Sequence, residues 1–442
     1  MPEQPPPTGR WSTDQVLALA PNPAAQQAAR TLSVSGRWLD TGHATDPPGV
    51  WGSFKGSART PYQICVDLTG PAYRCSCPSQ RIPCKHVIGL LLLWAGGGAA
   101  AAEPPPWFTD WLADRNARKD RAAARIQARG ERVKDAAPTA TQVRRAERVD
   151  AGLDELDRWL ADQVRQGIAG AGRAGYRHWD AMAERLVDAQ APALASSVRR
   201  LAALAGSPDR LLAELGLLRL AVTGWRRRDD LPDDLADNLR GRIGFPVSAE
   251  DVLDGEPVRD DWAVVGIRDE TDRRINLRRV WLRGTASGRD ALVLAFAPPG
   301  TPLPVEFILG TNVEADLCFY PGRGNLRALV KERQSQPRAM VDPPAGDATI
   351  GDALLRYTRS LADNPWHERT PMLLARVTLV TSESRWHVRD RDGRALPLYP
   401  PADRPWQLVA AAGGAPATVA GEWTVDGLRP LALWTDGRLV AA

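Results

Sequence analysis

Four potential metal ligands lie within one short stretch of this sequence. Cys75, Cys77, Cys84 and His86 fall within twelve residues, although the whole chain has only five cysteines and five histidines. Zinc binds four thiolate or imidazole ligands in a tetrahedron, with sulfur about 2.3 Å and nitrogen about 2.0 Å from the metal. The cluster therefore predicts a zinc site made by three thiolates and one imidazole.

The spacing of these residues is suited to holding one ion. Side chains alternate along an extended segment, so Cys75 and Cys77 point to the same side of the chain. The six residues that follow are enough to reverse the chain, and Cys84 and His86 then open an apolar helix predicted over about 84–94. Four protein ligands leave no position for water, which is the arrangement of a structural zinc site rather than a catalytic one.

The residues around the cluster fit a charged centre. Three thiolates and one zinc ion carry a net charge of about −1, and neighbouring basic residues can offset it, namely Arg74, Arg81 and Lys85. The alternative is that the cysteines and the histidine are buried without a metal, but cysteine is rare in this chain and the spacing favours zinc. Cys65 and Cys318 lie outside the pattern and are predicted to be buried core thiols.

The order Cys-x-Cys, six residues, Cys-x-His and then an apolar helix resembles the SWIM-type zinc finger, and every position of that motif is matched. The resemblance covers residues 48–95, a small part of the chain. It implies a strand-strand-helix shape, structural Zn²⁺ bound by the four ligands, and contact with DNA or protein. The whole chain is also similar to SWIM-finger proteins of GC-rich actinobacteria, which implies a bacterial origin.

The composition limits the possible functions. The hydrophobic fraction of 43% and the charged fraction of 25% are those of a globular protein. The net charge is only +4, so no general attraction to nucleic acid or to a membrane surface is expected. Arginine greatly outnumbers lysine, and alanine, glycine and proline are abundant, as is typical of a GC-rich genome. Arginine content alone is therefore weak evidence for phosphate binding.

No stretch of the sequence is typical of a membrane span or a secretion signal. The uncharged run over residues 87–102 has 16 residues and four glycines, whereas a span needs about 20 apolar residues. Residues 1–9 are proline-rich and lack the basic start and the apolar core of a signal peptide. We therefore expect a cytoplasmic protein without a membrane partner, in which cysteines stay reduced and clustered cysteines bind metal.

The pattern of apolar residues predicts an α+β multidomain protein. Residues 1–95 are predicted to form an N-terminal module that contains the finger, and residues 96–149 a linker and a basic helix. Apolar residues recur at steps of three and four over 150–245, which predicts a helical region. Strand-like alternation dominates 258–442, which predicts a β-rich α+β region.

The predicted linker contains a strongly basic segment. Residues 115–148 have eleven basic and four acidic side chains. A helix is predicted up to about Lys134, with arginines at three- and four-residue steps on one face, namely Arg118, Arg121, Arg125, Arg129 and Arg132. Two interpretations stay open. Either this face follows the phosphates of DNA together with the finger, or the helix is solvated and docks on an acidic protein or on nothing.

Binding is the function that the sequence favours. A protein partner is preferred over DNA because acidic residues interleave with the arginines and stacking aromatics are lacking in the basic segment. No small-molecule substrate is evident. The rival class is an enzyme with its active site in the C-terminal region, although nothing there has the spacing of a nucleophile with its base or of an acid–base pair.

Overall fold

A computed structural model describes residues 10–20, 23–79, 83–130, 140–168, 175–271, 275–299, 301, 303–382, 385–400 and 405–442. Within these ranges, the side chains of residues 119–130 and 140–143 lie outside the description. The protein is α+β, as the sequence predicts. An N-terminal module of strands and helices is followed by a helical middle and a C-terminal region rich in strands.

The N-terminal module begins with two helices, α1 (Thr13–Ala18) and α2 (Pro23–Ser33). Ser12 caps α1, because its Oγ accepts the Gln15 N–H while its own N–H donates to the Gln15 side chain. Five strands form the sheet of the module: β1 (Trp38–Thr45), β2 (Pro48–Phe54), β3 (Tyr62–Asp67), β4 (Ala72–Cys75) and β5 (Ala100–Ala101). Their spatial order is β4-β3-β2-β1-β5.

Helix α3 (Lys85–Ala95) lies in the interior of this module. Nine of its eleven residues are buried, because it packs against β2 and β3 and also against α1 and α2. Gly89 permits the close approach of α2, since a Cβ atom at Gly89 would lie 3.1 Å from the Cβ of Leu32. The apolar run after the ligand cluster is therefore the core of the module rather than a surface helix.

The start of the predicted linker is docked on the other face of the sheet. Strand β5 pairs in parallel with β1, and helix α4 (Pro106–Gly130) follows it. Phe108 is fully buried against Trp51, with ring centroids 5.1 Å apart. Arg115 forms an ion pair with Asp67, whose side chain is only 2% exposed. Helix α4 thus begins before the basic segment, and its first turns cover the sheet.

Five α-helices are described in the middle region: α5 (Ala140–Gln166), α6 (Tyr176–Asp188), α7 (Pro192–Leu201), α8 (Pro208–Arg226) and α9 (Asp233–Ile243). Apolar residues at helical spacing share one core, among them Leu153, Leu156, Leu160, Leu211 and Leu218. The first of these helices begins before residue 150. Among the described helices, none combines the length and the apolar character needed to cross a bilayer.

The described residues of the C-terminal region form two antiparallel sheets. Helix α10 (Ala249–Leu253) precedes the first sheet, whose strands are β6 (Val258–Thr271), β7 (Asn276–Gly284), β8 (Asp290–Ala297), β9 (Thr311–Phe319), β10 (Ala328–Arg333) and β11 (Arg338–Ala339). Helix α11 (Ile350–Asp363) precedes the second sheet. Its strands are β12 (Thr370–Ser382), β13 (Arg385–Arg389), β14 (Ala395–Pro397), β15 (Ala417–Thr424), β16 (Gly427–Thr435) and β17 (Arg438–Ala441), with helix α12 (Trp406–Ala412) between β14 and β15.

The two sheets repeat one strand order. The first is arranged β10-β9-β6-β7-β8, and the second β14-β13-β12-β15-β16-β17. We count the strands of each sheet in chain order, starting from β6 and from β12. In both sheets, the first strand then lies between the second and the fourth, and the fifth strand pairs with the fourth. A parallel bridge then links the third strand with the fifth: Leu292 of β8 pairs with Arg327, which precedes β10, and Leu398, which follows β14, pairs with Leu428 of β16. Five strands of each sheet therefore form a partly closed barrel.

The two barrels pack against each other through a shared core that includes Trp281. Trp281 Nε1 donates to Glu422 Oε1 at 2.8 Å, and both side chains are buried. Arg369 lies 3.3 Å from the second oxygen of Glu422 and 2.8 Å from the carboxylate of Glu270. A buried carboxylate with both a cation and an N–H donor thus lies at the junction of the barrels.

Helix α1 connects the N-terminal module to the C-terminal region. Trp11 Nε1 donates to the Pro337 carbonyl at 3.3 Å, and the Gln15 side chain donates to the Gly310 carbonyl. Ile308, which precedes β9, belongs to the same apolar core as helix α3. The module that carries the ligand cluster is therefore packed into the rest of the chain.

Candidate metal centre

Two local structures bring the four predicted ligands together. Cys75 is the last residue of β4 and pairs with Ile64 of β3. The pairing continues one residue further, because Ser76 N–H donates to the Gln63 carbonyl at 3.1 Å and Gln63 N–H donates to Ser76 Oγ at 2.9 Å. This keeps the segment extended through Cys77, so that the two cysteines share one side of the chain.

The second pair of ligands lies at the start of α3. Cys84 occupies the N-cap position with an extended backbone, and His86 is in the first turn. Cys84 is 4% exposed and His86 is 6% exposed. The imidazole of His86 is enclosed by two aromatic rings, with centroid distances of 5.0 Å to Phe54 and 5.2 Å to Tyr62. The packing of β2 and β3 therefore fixes the orientation of this ligand.

The ligand atoms of Cys75, Cys77, Cys84 and His86 all lie within 4.8 Å of one another. The sulfur of Cys84 is 3.9 Å from Nδ1 of His86. In a tetrahedral zinc site, sulfur ligands at about 2.3 Å from the metal are about 3.8 Å apart. Three thiols and one imidazole at these separations fit a zinc ion, and the structure brings the four predicted residues together.

The thiols of this cluster do not titrate independently. The pKa of Cys84 is lowered to about 4, first by a hydrogen bond from Cys75 and also by His86 and the first backbone N–H groups of α3, although burial opposes this shift. The same hydrogen bond with Cys84, together with burial, raises the pKa of Cys75. Burial is also the main reason that the pKa of Cys77 is raised. The cluster therefore favours one thiolate and opposes ionisation of the other two thiols. The positive charge of a bound divalent cation would remove this opposition.

Basic side chains lie beside the cluster, as the sequence predicts. Arg74 and Lys85 are both exposed. Arg81, the third residue of this group, lies outside the described residues. The helix N-terminus adds a further positive contribution next to Cys84, because backbone N–H groups favour a thiolate there.

The remaining two cysteines are separate from the site. Cys65 is 1% exposed and packs on the face of the sheet that α4 covers, where burial raises the pKa of its thiol to about 12. Cys318 is buried in β9, and its thiol donates to the Gly255 carbonyl at 3.5 Å. Both are core thiols, as predicted.

The arrangement has the chemistry of a closed metal site. Four protein side chains provide the coordination, and the aromatic rings around His86 and the buried position of Cys84 limit access to one side. A zinc ion in this shell keeps no open position for substrate or water. Its effect is to tie the end of β4 to the start of α3.

Two parts of the chain match known domain families. Residues 65–95 match the SWIM zinc finger. The chain contains a SWIM zinc finger. Residues 144–243 match the SWIM-associated four-helix bundle domain, which falls on helices α5 to α9. No curated protein and no solved structure matches the chain.

The SWIM resemblance drawn from the motif is thereby confirmed, and the SWIM-associated bundle is an addition to it. Sequence reasoning recognised the helical region from its periodic leucines but not its association with the finger. It also missed the docking of α4 on the finger's sheet. The available signal was the pair of aromatic residues Trp107 and Phe108 just after the proline run.

Proposed function

We propose that this chain is a non-catalytic binding protein in which one Zn²⁺ ion, held by Cys75, Cys77, Cys84 and His86, has a structural role. The observation that carries the proposal is the grouping of four ligand atoms within 4.8 Å. Four protein ligands complete a tetrahedral shell, so the ion has no vacant position at which to activate water.

The position of the cluster supports a structural role for the metal. Its ligands come from the end of β4 and the beginning of α3, and α3 is the central core element of the module. Zinc contributes on the order of 10 kcal/mol to the folding of small zinc modules. Loss of the ion should therefore release α3 from the sheet and disturb the contacts of α1 and α2.

The partner that we propose for the N-terminal module is a protein. Zinc fingers that read DNA place an exposed helix in the major groove, whereas α3 is buried on both sides. Two large apolar side chains of the module, Val34 and Leu39, are 85% and 57% exposed and lie close together in sequence. Exposed apolar side chains such as these are available for contact with another protein.

The second candidate is DNA binding through the finger and the basic helix. It depends on Arg74, Lys85 and the arginine stripe of the linker. Arg118 is an exposed residue of α4. The other members of the stripe lie outside the described side chains, namely Arg121, Arg125, Arg129 and Arg132.

The metal proposal is tested by replacing one ligand and one matched cysteine. Cys77→Ala should lower the zinc content of the purified protein from one ion per chain to none, and α3 should lose its protection against hydrogen exchange. Cys65→Ala, a buried cysteine one strand away, should keep its zinc. Full zinc content in a Cys75→Ala/Cys77→Ala variant would contradict the assignment.

The partner proposal is tested by affinity capture from the native host with and without nuclease treatment. Proteins that remain bound after nuclease treatment, and that are lost with a Val34→Asp/Leu39→Asp variant of normal zinc content, would support it. A further arm measures binding to duplex DNA over a salt series. Binding that weakens steeply with salt and depends on Arg74 and Lys85 would favour the DNA alternative.

A further inference from the structure

The two C-terminal barrels share a topology with a known type of binding surface. Each has five strands in which the first pairs with the second and the fourth, and the third meets the fifth in parallel. This is the Greek-key order of the OB-fold, whose second and third strands and adjoining loops bind oligonucleotides and oligosaccharides. The first strand of each barrel also has a register shift, between Val264 and Gly266 in β6 and between Leu374 and Val377 in β12. Such a shift lets a long strand bend and take part in both sides of a barrel.

The second barrel adds the helix that this topology allows between the third and fourth strands. Helix α12 follows β14 and precedes β15, and Leu408 and Ala412 of α12 belong to the core of the barrel. The first barrel has no helix among the described residues between β8 and β9. The two units are therefore repeats of one architecture that differ in this connection.

The first barrel cannot offer its outer face to a ligand. Trp281 on its second strand is 1% exposed and donates to Glu422 of the second barrel. Ala263 and Val265 on its first strand belong to the same inter-barrel core. This surface is used for packing between the two barrels.

The corresponding face of the second barrel is not buried by the part of the chain that the structure describes. Val388 of β13 and Leu396 of β14 point into the barrel core, and so does Val377 of β12. Because strand side chains alternate, the intervening residues point outwards, and none of them is buried: Thr378, Val380 and Ser382 on β12, Arg385, His387 and Arg389 on β13, and Ala395 and Pro397 on β14.

This outer face is basic. Arg385 and Arg389 are exposed at alternate positions of β13, and Arg376 is exposed at the bulge of β12, where its backbone adopts φ 54°. None of the outward residues on the described parts of these strands is acidic. Arg376 and Arg389 form no ion pair with a described residue, and Arg385 reaches only the backbone carbonyl of Asp426, at 3.5 Å. These three cations have no carboxylate partner among the described residues and are available for an anionic ligand.

Aromatic side chains lie at one end of the same barrel. Trp406 at the start of α12 is 54% exposed, and its ring is 5.5 Å from that of Trp386 in an edge-to-face arrangement. Trp386 pairs with Thr381 near the connection between β12 and β13. Single-stranded nucleic acids are held by basic grooves combined with aromatic rings on which bases stack, and each stack contributes about 1–3 kcal/mol.

We propose that the outer face of β12, β13 and β14 binds single-stranded nucleic acid. Arg376, Arg385 and Arg389 contact the phosphates, and Trp406 stacks on a base at the end of the face. The phosphate chemistry decides between the two ligand classes of this topology, because a neutral oligosaccharide carries no charge with which these three arginines could pair. The surface is separate from the zinc finger, so this inference does not depend on the function proposed for the metal.

The test uses the full chain and a fluorescent oligothymidine, with binding followed by anisotropy over a salt series. The variant is Arg385→Ala/Arg389→Ala. Its control is Arg30→Ala/Arg177→Ala, which removes two exposed arginines from helices α2 and α6. Loss of two phosphate contacts should reduce the slope of log affinity against log salt by about 1.4 for a single strand. The ratio of the affinity of the original protein to that of the variant should accordingly be about sevenfold larger at 50 mM salt than at 200 mM salt.

A second variant separates base stacking from attraction to any polyanion. Trp406→Ala should weaken oligothymidine binding about tenfold and leave heparin binding unchanged. Zinc content, measured on the same preparations, should be equal in all of them. The proposal is overturned if oligothymidine does not bind at 50 mM salt, if both arginine variants lose affinity equally, or if heparin binds as well as oligothymidine and Trp406→Ala changes neither.

Discussion

Replacing Arg369 with methionine should loosen the junction between the two C-terminal barrels. Arg369 is 28% exposed and pairs with Glu422, a residue that is fully buried on β15. Methionine keeps most of the apolar stem but removes the cation. Glu422 would then keep the N–H of Trp281 as a donor, while its charge would have no positive partner at that position.

The expected cost follows from the burial of Glu422. Removing one partner of a buried ion pair costs about 3–5 kcal/mol, and the partial exposure of Arg369 places this case at the lower end, about 3 kcal/mol. A double variant, Arg369→Met/Glu422→Gln, should recover most of that cost. The neutral amide oxygen still accepts from Trp281, and no unpaired charge remains.

Hydrogen exchange measured by mass spectrometry can locate this effect in a chain of several domains. Peptides from β6, β12 and β15 should lose about a hundredfold in protection in Arg369→Met, which corresponds to about 3 kcal/mol. Peptides from α5 to α9 should be unchanged. The reasoning would be refuted if the stability loss of the double variant equalled the sum of the losses of the two single variants. Unchanged protection in Arg369→Met would refute it as well.

Two further results are expected from other parts of the chain. Phe108→Ala should cost about 3–5 kcal/mol because the ring is fully buried against Trp51; exchange should rise in α4 and β2, whereas an unchanged rate would mean that α4 is not docked. Burial alone would raise the pKa of Glu270, but hydrogen bonds from Arg279 and Arg369 hold it at about 2. Since this pKa is below its unfolded value of about 4.3, the contribution of Glu270 is complete above that pH and is lost as the pH falls towards 2. Urea unfolding at pH 5 and pH 3 should therefore show a larger loss of stability for the original protein than for Glu270→Gln.

The ligand cluster could be predicted from the sequence because its geometry is local. An extended Cys-x-Cys segment and a Cys-x-His at a helix start bring four side chains together through a short connection. The apolar run from Val87 to Trp94 likewise predicts a buried helix, since it lacks a polar face. Local spacing and composition were sufficient for these features.

Features that depend on distant contacts could not be predicted in the same way. The charge and the helical spacing of the basic segment do not reveal that Arg115, its first residue, is paired with buried Asp67 on the finger. The two barrels repeat a strand order without a repeat of fixed period in the sequence, because the order is set by pairings such as Trp262 with Val313. The domain boundaries at residues 95, 149, 245 and 258 stay predictions, which limited proteolysis followed by mass spectrometry can check.

X-ray absorption at the zinc edge of the purified protein tests the central claim most directly. The account predicts one zinc per chain with three sulfur ligands at about 2.3 Å and one nitrogen ligand at about 2.0 Å. The spectrum of Cys65→Ala should be the same, because that thiol lies outside the site. A shell with an oxygen ligand from water, or with fewer than three sulfurs, would contradict a closed structural centre made by Cys75, Cys77, Cys84 and His86.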